Sequence, residues 1–113
     1  MSDCLFCRIV AGEIPASVVR ESPTTLAFRD IAPQAPTHVL VIPKRHHADI
    51  SSLAAADPAV AADVLREAHA VAVDESVAGS GYRLIFNTGP DAGQAVAHAH
   101  AHVLGGRALG ALG

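Results

Sequence analysis

The sequence predicts a single domain of the α+β class that spans residues 1–113. The chain is short and half of its residues are apolar, which is enough for one modest core. Five short runs have the composition or alternation of β-strands, and one long stretch has the spacing of an amphipathic helix. The last two strand runs are joined by a short loop, which favours an antiparallel pair between them.

The N-terminal segment predicts a short helix over residues 3–11. Asp3 is its candidate cap, and Gly12 ends it. Pro15 then excludes a helix, so residues 14–21 are predicted to extend into an edge strand.

Two further strand runs lie in the first half of the chain. Residues 25–30 alternate, so that Leu26, Phe28 and Asp30 share one face of the predicted strand. Residues 38–43 are the most strand-like run, because they are rich in branched apolar side chains. This second run is predicted to be a central strand.

The helical part of the chain follows. A short helical turn is predicted over residues 50–55. Asp57 and Pro58 are typical of a helix cap and a first helical position, so a long helix is predicted over residues 58–78, with Gly79 ending it. Its predicted buried stripe consists of Val60, Val64, Leu65, Ala68 and Val71.

Residues 82–87 and 98–104 are the last two predicted strands, and the second carries three histidines that alternate with small apolar residues. In a strand, His98, His100 and His102 share one face at intervals of roughly 6.5 to 7 Å. Three imidazoles make a poor core, because each ring has polar groups that need partners. That face is therefore predicted to line a polar site; the alternative is an exposed strand with incidental histidines.

Charge and composition exclude several classes of partner. The net charge is −3 and Lys plus Arg total only 8, so no diffuse basic surface is available to bind a nucleic-acid polymer. No run of 18 apolar residues could form a transmembrane helix, and the first residues lack the pattern of a signal peptide. We therefore expect a cytoplasmic protein whose thiols stay reduced.

Cys4 and Cys7, with two residues between them, have the spacing of half a four-ligand zinc site. His46 and His98 are the candidates for the other two ligands. A thioredoxin-type redox motif requires a preceding strand, and none is predicted before Cys4. The alternative is a pair of buried, reduced thiols.

The histidine run suggests chemistry at phosphorus. Imidazole is a good nucleophile that titrates near neutrality, and attack by a ring nitrogen would give a phosphohistidine-type intermediate that water then opens. His100, which has a histidine on each side, is the candidate nucleophile, and His102 is a candidate to bind the phosphate oxygens or the leaving group. The loop containing Gly93 and the amide of Asn87 could also approach a phosphate, or could be ordinary turn chemistry.

Asp30 ends a predicted strand, where a carboxylate can accept hydrogen bonds from the two hydroxyls of a ribose. An ordinary strand-ending aspartate is the alternative. Four apolar residues could enclose a base or belong simply to the core: Phe6, Ile9, Phe28 and Ile31. No specific role is predicted for His38, His47 or His69.

These residues carry a resemblance to a known family. The histidine run followed by two apolar residues resembles the histidine triad of the HIT superfamily, and the wider match resembles its Hint branch. The matching segments are residues 14–16, 26–38, 41–46, 87–89 and 93–107. The resemblance implies a homodimer of HIT-like units, each with a five-stranded antiparallel sheet, one long helix and a short N-terminal helix. The two sheets would join into one of ten strands.

The implied activity is hydrolysis of purine nucleoside phosphoramidates, which releases an amine and a nucleoside monophosphate such as AMP. The resemblance makes His100 the residue that becomes nucleotidylated and gives His102 contact with the phosphate; His98 completes the triad. Gln94 with its neighbour Gly93, together with Asn87, would assist at the phosphate.

The resemblance also implies the remaining contacts. Asp30 would hold the ribose hydroxyls, and the four apolar residues named above would enclose the purine. Relatives with the same cysteine pair bind zinc, so the implied ligands are Cys4, Cys7, His46 and His98.

Two departures from the Hint pattern leave alternatives open. Ala95 stands where many Hint proteins have a serine that helps to protonate the leaving amine, and the C-terminal tail lacks an aromatic residue. One alternative is a dinucleoside polyphosphate hydrolase of the Fhit kind. Another, which Ala95 favours, is a zinc-stabilised nucleotide-binding or interaction module with little catalysis. The third histidine, His102, argues against a nucleotidyltransferase, because that branch usually replaces it.

Overall fold

The computed structural model describes residues 3–112; Met1, Ser2 and Gly113, which the predicted domain includes, lie outside the described residues. The described chain forms a five-stranded antiparallel sheet with three α-helices. The strands are β1 (Val18–Glu21), β2 (Thr25–Arg29), β3 (Thr37–Pro43), β4 (Tyr82–Ile85) and β5 (Ala101–Gly105). The helices are α1 (Leu5–Val10), α2 (Ile50–Ala56) and α3 (Pro58–Asp74). The predicted α+β class and five-stranded sheet are confirmed.

The order of strands across the sheet is β1-β2-β3-β5-β4, so β3 is central and β1 and β4 lie at the edges. Every residue of β3 is buried, as expected for a continuous apolar run that is covered on both faces. The central position of β3, the edge position of β1 and the antiparallel pairing of β4 with β5 all confirm the sequence predictions.

The sheet separates two apolar clusters. Alternate residues of β3 point to opposite faces, with Val39 and Val41 in one cluster and Leu40 and Ile42 in the other. The first cluster includes the buried side of α3. The second includes Phe6 of α1, so α1 and α3 cover opposite faces of the sheet.

Helix α3 begins as the sequence predicts but ends earlier. The carboxylate of Asp57 accepts a hydrogen bond from the N–H of Val60 at 3.2 Å, and Pro58 takes the first helical position. The predicted end at residue 78 is wrong. The helix stops at Asp74, because Ser76 adopts a left-handed conformation with φ of 62° that breaks the helical path before Gly79.

The predicted buried stripe of α3 is wrong at one position. Leu65 is 50% exposed, whereas the adjacent Val64 is buried. Consecutive helical residues point about 100° apart, so a residue next to the centre of the stripe can lie outside it.

The other helix boundaries also differ from the predictions. Helix α1 is capped by Cys4 and not by Asp3: the Cys4 Sγ accepts a hydrogen bond from the N–H of Cys7 at 3.4 Å. The predicted turn at residues 50–55 is the two-turn helix α2, which extends to Ala56. None of the described helices is long and apolar enough to cross a membrane.

Both C-terminal strands are shorter than predicted. β4 stops at Ile85, the partner of His102, and β5 begins only at Ala101, so His98 and His100 precede the strand. The backbone explains this, because the N–H of Ala99 donates to the carbonyl oxygen of His47 at 2.8 Å and not to a neighbouring strand. Only the C-terminal part of the histidine run, from Ala101 onward, therefore belongs to the sheet.

Ion pairs connect α3 and its C-cap residue Glu75 to strands β1 and β2. Arg20 of β1 contacts Glu67 at 3.0 Å and Asp74 at 3.2 Å. Arg29 of β2 donates to both oxygens of Glu75, at 2.7 and 3.0 Å, and this pairing lowers the pKa of the Glu75 carboxyl. These contacts are near solvent, so water and salt screen them and each contributes little to the free energy of unfolding.

Candidate active site

The three histidines share one face of the extended run, as the sequence predicts. The small apolar residues between them pack in the cluster that contains α3. The rings of His98 and His100 contact Phe6 on the opposite face, with centroids 5.8 and 5.3 Å away, and the rings of His100 and His102 are 5.0 Å apart. The alternation therefore holds although only His102 belongs to β5.

A hydrogen bond to a nearby backbone carbonyl holds the His100 ring in one orientation. Its side chain is buried, and its Nδ1 lies 2.7 Å from the carbonyl oxygen of His98. A carbonyl oxygen only accepts, so Nδ1 carries the proton and donates. In the neutral ring, Nε2 then keeps its lone pair, which makes it the nucleophilic nitrogen.

His102 belongs to a chain of hydrogen bonds that fixes its tautomer. The N–H of Gln34 donates to His38 Nδ1 at 3.0 Å, so His38 carries its proton on Nε2. That Nε2 lies 2.9 Å from His102 Nδ1 and donates to it. Neutral His102 therefore carries its own proton on Nε2, where it can donate to an anionic group.

His38 is a candidate functional residue that sequence reasoning missed. It is 6% exposed, lies in central strand β3, and contacts His102 diagonally across the β3–β5 pair, in which Leu40 is the direct partner of His102. The sequence does contain a signal, because an imidazole within a buried strand needs a hydrogen-bond partner. Only the pairing of β3 with β5 shows what that partner is.

Burial keeps this histidine pair neutral. It lowers the pKa of His38, and it lowers the pKa of His102 to about 4, with the nearby His100 as the next cause. Both rings are therefore uncharged near pH 7, as the hydrogen-bond chain requires.

We expect the free energy of unfolding to fall as the pH drops from about 6.5 toward about 4. Unfolded histidines bind protons near pH 6.5, whereas folded His102 resists protonation until about pH 4, so acid favours the unfolded chain across this window. Urea unfolding at pH 7.5, 6 and 5 measures the effect. His102→Asn should weaken the dependence, because the pKa values of His38 and His98 are also lowered, while the exposed-site control His69→Gln should preserve it. Equal stability at pH 7.5 and 5 would contradict the prediction.

An apolar cavity of about 420 Å³ lies between α1 and the second and third strands. Its volume is in the range of small-molecule sites. The structure brings together here all five residues predicted to contact a nucleoside, which are Phe6, Ile9, Phe28, Asp30 and Ile31. Ile31 is fully exposed, so it stands at the open rim.

Asp30 is fixed at the edge of this cavity. One carboxylate oxygen accepts a hydrogen bond from the N–H of Ala32 at 2.8 Å, and the other lies 3.5 Å from His38 Nε2. The carboxylate therefore stands between the cavity and the histidine pair.

The structure gives less direct support for the residues that are predicted to contact the phosphate. The Gln94 Nε2 donates to two backbone carbonyl oxygens, at 2.8 and 3.0 Å, and its Oε1 accepts from the N–H of Gly89 at 3.0 Å. Gln94 thus holds its own loop together and joins it to Ala48, in the segment before α2. The Gly93 N–H donates within the loop, and Asn87 is half-buried two residues beyond β4. Their roles at a phosphate remain predictions.

The four predicted metal ligands come together at the N-terminal end of the histidine run, around His98. The ligand atoms of Cys4, Cys7, His46 and His98 all lie within 4.8 Å of one another. His98 Nδ1 is 3.3 Å from Cys4 Sγ, 3.5 Å from Cys7 Sγ and 3.2 Å from His46 Nδ1. His46 Nδ1 is 3.4 Å from Cys7 Sγ. We call these four residues the Cys/His cluster.

The spacings of the Cys/His cluster fit tetrahedral coordination. Metal–nitrogen and metal–sulfur bonds of about 2.05 and 2.3 Å at tetrahedral angles give nitrogen–nitrogen and sulfur–nitrogen separations of about 3.4 and 3.6 Å. The observed range of 3.2 to 3.5 Å is close to these values. The cluster therefore has both the donor types and the geometry of a tetrahedral metal site.

The tautomer of His98 also fits a ligand. This side chain is fully buried, and its Nε2 donates to the carbonyl oxygen of Pro43 at 2.8 Å. Nδ1 therefore keeps a lone pair toward the cluster, and burial, as the largest cause, lowers the pKa of the ring. His98 also supplies the carbonyl oxygen that orients His100, so a single residue connects the cluster with the candidate nucleophile.

Comparison with known proteins identifies the same pattern. The chain matches the HIT domain over residues 11–109. It is 41% identical over 108 residues to the purine nucleoside phosphoramidase of Escherichia coli, which covers 96% of this chain and 91% of the relative. A HIT family hydrolase from Clostridium thermocellum is 40% identical, with a TM-score of 0.93 and coverage of 99% and 97%. A histidine triad protein from Clostridium difficile is 35% identical, also with a TM-score of 0.93 and coverage of 100% and 98%.

The sequence match and the structural matches extend over nearly the whole chain. They include the sheet, both apolar clusters and the histidine run described above. The resemblance found in the sequence is therefore confirmed, and the chain belongs to the HIT domain family.

Proposed function

We propose that this protein hydrolyses purine nucleoside phosphoramidates, cleaving the P–N bond through a nucleotidyl intermediate on His100. The observation that carries the proposal is the orientation of His100, whose Nδ1–H donates to a backbone carbonyl and leaves Nε2 as a nucleophile beside the His102 donor. The phosphoramidase from Escherichia coli, a close relative in sequence, supports the substrate class.

The substrate would lie along the line from the apolar cavity to the histidines. Phe6 lines the cavity and also contacts the His100 ring edge-on, so a purine in the cavity has its phosphate near the nucleophile. Asp30, at the edge of the cavity, would accept hydrogen bonds from the ribose hydroxyls. The apolar walls provide stacking and burial for the base.

In the first step, the lone pair of His100 Nε2 forms a bond to phosphorus while the P–N bond breaks. The Nε2–H of His102 donates to a phosphate oxygen, which stabilises negative charge in the transition state. In the second step, water attacks phosphorus and releases a proton to solvent, the bond between phosphorus and His100 Nε2 breaks, and the nucleoside monophosphate leaves. Covalent catalysis of this kind divides one displacement into two.

The departing amine must gain a proton during the first step. Ala95 has no hydroxyl to donate one, and neutral His102 would become an anion if it lost its Nε2–H, so the proton comes from water while His102 only donates a hydrogen bond. Ala95 lines an open surface hollow together with Cys4 and His46. The lack of a hydroxyl at Ala95 also favours the second candidate, a nucleotide-binding module with little turnover.

We further propose that the Cys/His cluster holds a structural zinc ion. Its two sulfur and two nitrogen donors match the ligand set and spacings of closed structural zinc sites. When bound, the ion would supply a cross-link with no part in the chemical steps. Cys4 and Cys7 would thereby fix α1 to the histidine run, with Phe6 between them.

We also infer that the protein forms a homodimer with a ten-stranded sheet. β4 lies at one edge of the described sheet, and pairing with β4 of a second copy would extend the sheet across the interface. Sedimentation equilibrium at the mass of two chains would support this arrangement, and a monomer at micromolar concentration would contradict it.

Intact-protein mass spectrometry after mixing with an adenosine phosphoramidate tests the reaction. Quenching must be rapid and free of acid, because acid hydrolyses phosphohistidine. We expect an adduct of one AMP that maps to His100, together with released AMP. The matched control replaces the phosphoramidate with adenosine, which has no phosphorus to transfer.

The other outcomes discriminate between the candidates. Neither an adduct nor released AMP would favour the binding module, and Ala95→Ser would then test whether the missing hydroxyl is responsible. Faster turnover of a diadenosine polyphosphate in a parallel reaction would favour a hydrolase of the Fhit kind. An adduct on any other residue would overturn the assignment of His100.

A further inference from the structure

The segment immediately after β5 contacts the loop before β3 at two points. Gly106 has φ of +95°, and a Cβ atom placed there would lie 2.8 Å from the Cβ of Pro36, so only glycine lets the loop approach this closely. The next residue, Arg107, donates from its guanidinium to the carbonyl oxygen of Gln34 at 2.9 Å. The proposed reaction does not itself use these residues.

Gln34 is held on both sides. Its carbonyl oxygen accepts from Arg107, and its N–H donates to His38 Nδ1 at 3.0 Å. Its side-chain amide also donates to the carbonyl oxygen of Ala32 at 2.9 Å, which closes the loop on itself. A displacement of Gln34 would therefore act directly on the His38 ring.

The bond to Gln34 determines which nitrogen of His38 carries the proton. With Nδ1 accepting from Gln34, His38 Nε2–H donates to His102 Nδ1, and the His102 proton stays on Nε2. Without the Gln34 donor, His38 can carry its proton on Nδ1 and accept at Nε2. His102 would then have to donate from Nδ1, which removes the proton from the nitrogen needed at the phosphate.

We propose that Arg107 is a positioning residue for the reaction. By holding Gln34, it keeps His38 and His102 in the tautomers that present the Nε2–H of His102 to the substrate. The effect on rate rests on the proposed function, whereas the effect on the tautomer does not. Arginine suits this place because its planar guanidinium also donates to the carbonyl oxygen of Ala108 at 2.9 Å, which fixes its orientation.

The test compares Arg107→Met with Arg107→Lys and with Arg83→Met in the full-length protein. Arg83 is the matched control, because it also donates to a tail carbonyl, that of Gly110 at 2.9 Å, but is not one of the groups that hold Gln34. Turnover of an adenosine phosphoramidate gives kcat and KM. Long-range proton–nitrogen NMR spectra of the imidazoles report which ring nitrogen of His38 is protonated.

We expect Arg107→Met to lower kcat about fivefold, the value of one hydrogen bond, with KM within about twofold. The His38 spectrum should change from a single Nε2–H form to a mixture of tautomers. Arg107→Lys, which can still reach one carbonyl, should restore part of both effects. Arg83→Met should match the wild type in rate and spectrum.

An unchanged His38 spectrum in Arg107→Met would overturn the proposal, as would an equal loss of kcat in Arg83→Met. If the wild type shows no turnover, the proposed function fails instead. In that case the His38 spectrum still decides whether Arg107 positions the ring.

Discussion

Replacing His100 with alanine is expected to reduce kcat/KM for an adenosine phosphoramidate by at least about a thousandfold and to abolish the AMP adduct. His100 Nε2 is the nitrogen whose lone pair is directed by a fixed tautomer. The alanine side chain has no nucleophile to replace it. Steady-state assays and intact mass measure the two effects separately.

The fold should survive this change. His100 contacts Phe6 at the boundary of an apolar cluster, so its removal leaves a small cavity and not an unpaired charge. AMP binding should persist, because the apolar cavity remains. His69→Ala, which changes an exposed histidine of α3 bonded to Tyr82, is the matched control and should keep wild-type turnover. Wild-type turnover in His100→Ala would refute the mechanism.

Cys7→Ser is expected to lower the metal content from one ion per chain to near zero and the melting temperature by more than about 10 °C. The variant loses one of the four donors of the Cys/His cluster. Helix α1 has only six residues and is too short to be stable alone, so it depends on the cross-link and on the packing of Phe6. Metal analysis and thermal unfolding, both on protein purified without chelator, test the two effects.

His47→Ala is the control for this experiment. His47 is adjacent to the ligand His46, but its contribution to the histidine run is its backbone carbonyl, which alanine retains. The His47→Ala variant should therefore keep the wild-type metal content. Much less than one equivalent of metal in the wild type would rule out a stable structural ion.

The parts of the fold that the sequence predicts correctly depend on local chemistry. Asp57 and Pro58 mark the start of α3, and the branched apolar run of β3 marks a strand buried on both faces. Alternation placed the three histidines on one face, and that placement holds even outside β5. In each case the determining contacts lie within a few residues along the chain.

Some errors, such as the early end of α3 before Ser76, have a local cause, but others concern features that depend on distant partners. β5 begins late because the N–H of Ala99 donates to the carbonyl oxygen of His47, more than fifty residues away. His38 was given no role because its partner His102 lies on another strand. The contacts of Gln94 also include a distant partner, the carbonyl oxygen of Ala48, which only the folded chain shows, and its role at the phosphate stays a prediction. Contacts of this kind have no local pattern to reveal them.

The candidate site combines both kinds of information. Spacing alone indicated that Cys4 and Cys7 form half of a metal site, and the structure places His46 and His98 beside them. Residue type leaves Phe6, Ile9, Phe28 and Ile31 as either a base pocket or simple core, and the resemblance favours the pocket. The structure places all of them around one cavity with Asp30.

Helix α1 contributes to both the apolar cavity and the Cys/His cluster, so it would couple the binding of a purine to the binding of a metal. It supplies Phe6 to the wall of the apolar cavity, and its first turn carries the thiols of Cys4 and Cys7. A purine in the cavity and a metal at the cluster would therefore both require α1 and its cap, Cys4, to be folded. If both proposed ligands bind, thermodynamic linkage makes this dependence reciprocal, and each ligand would tighten the binding of the other by the same factor. The metal affinity of this protein would then report on its nucleotide occupancy.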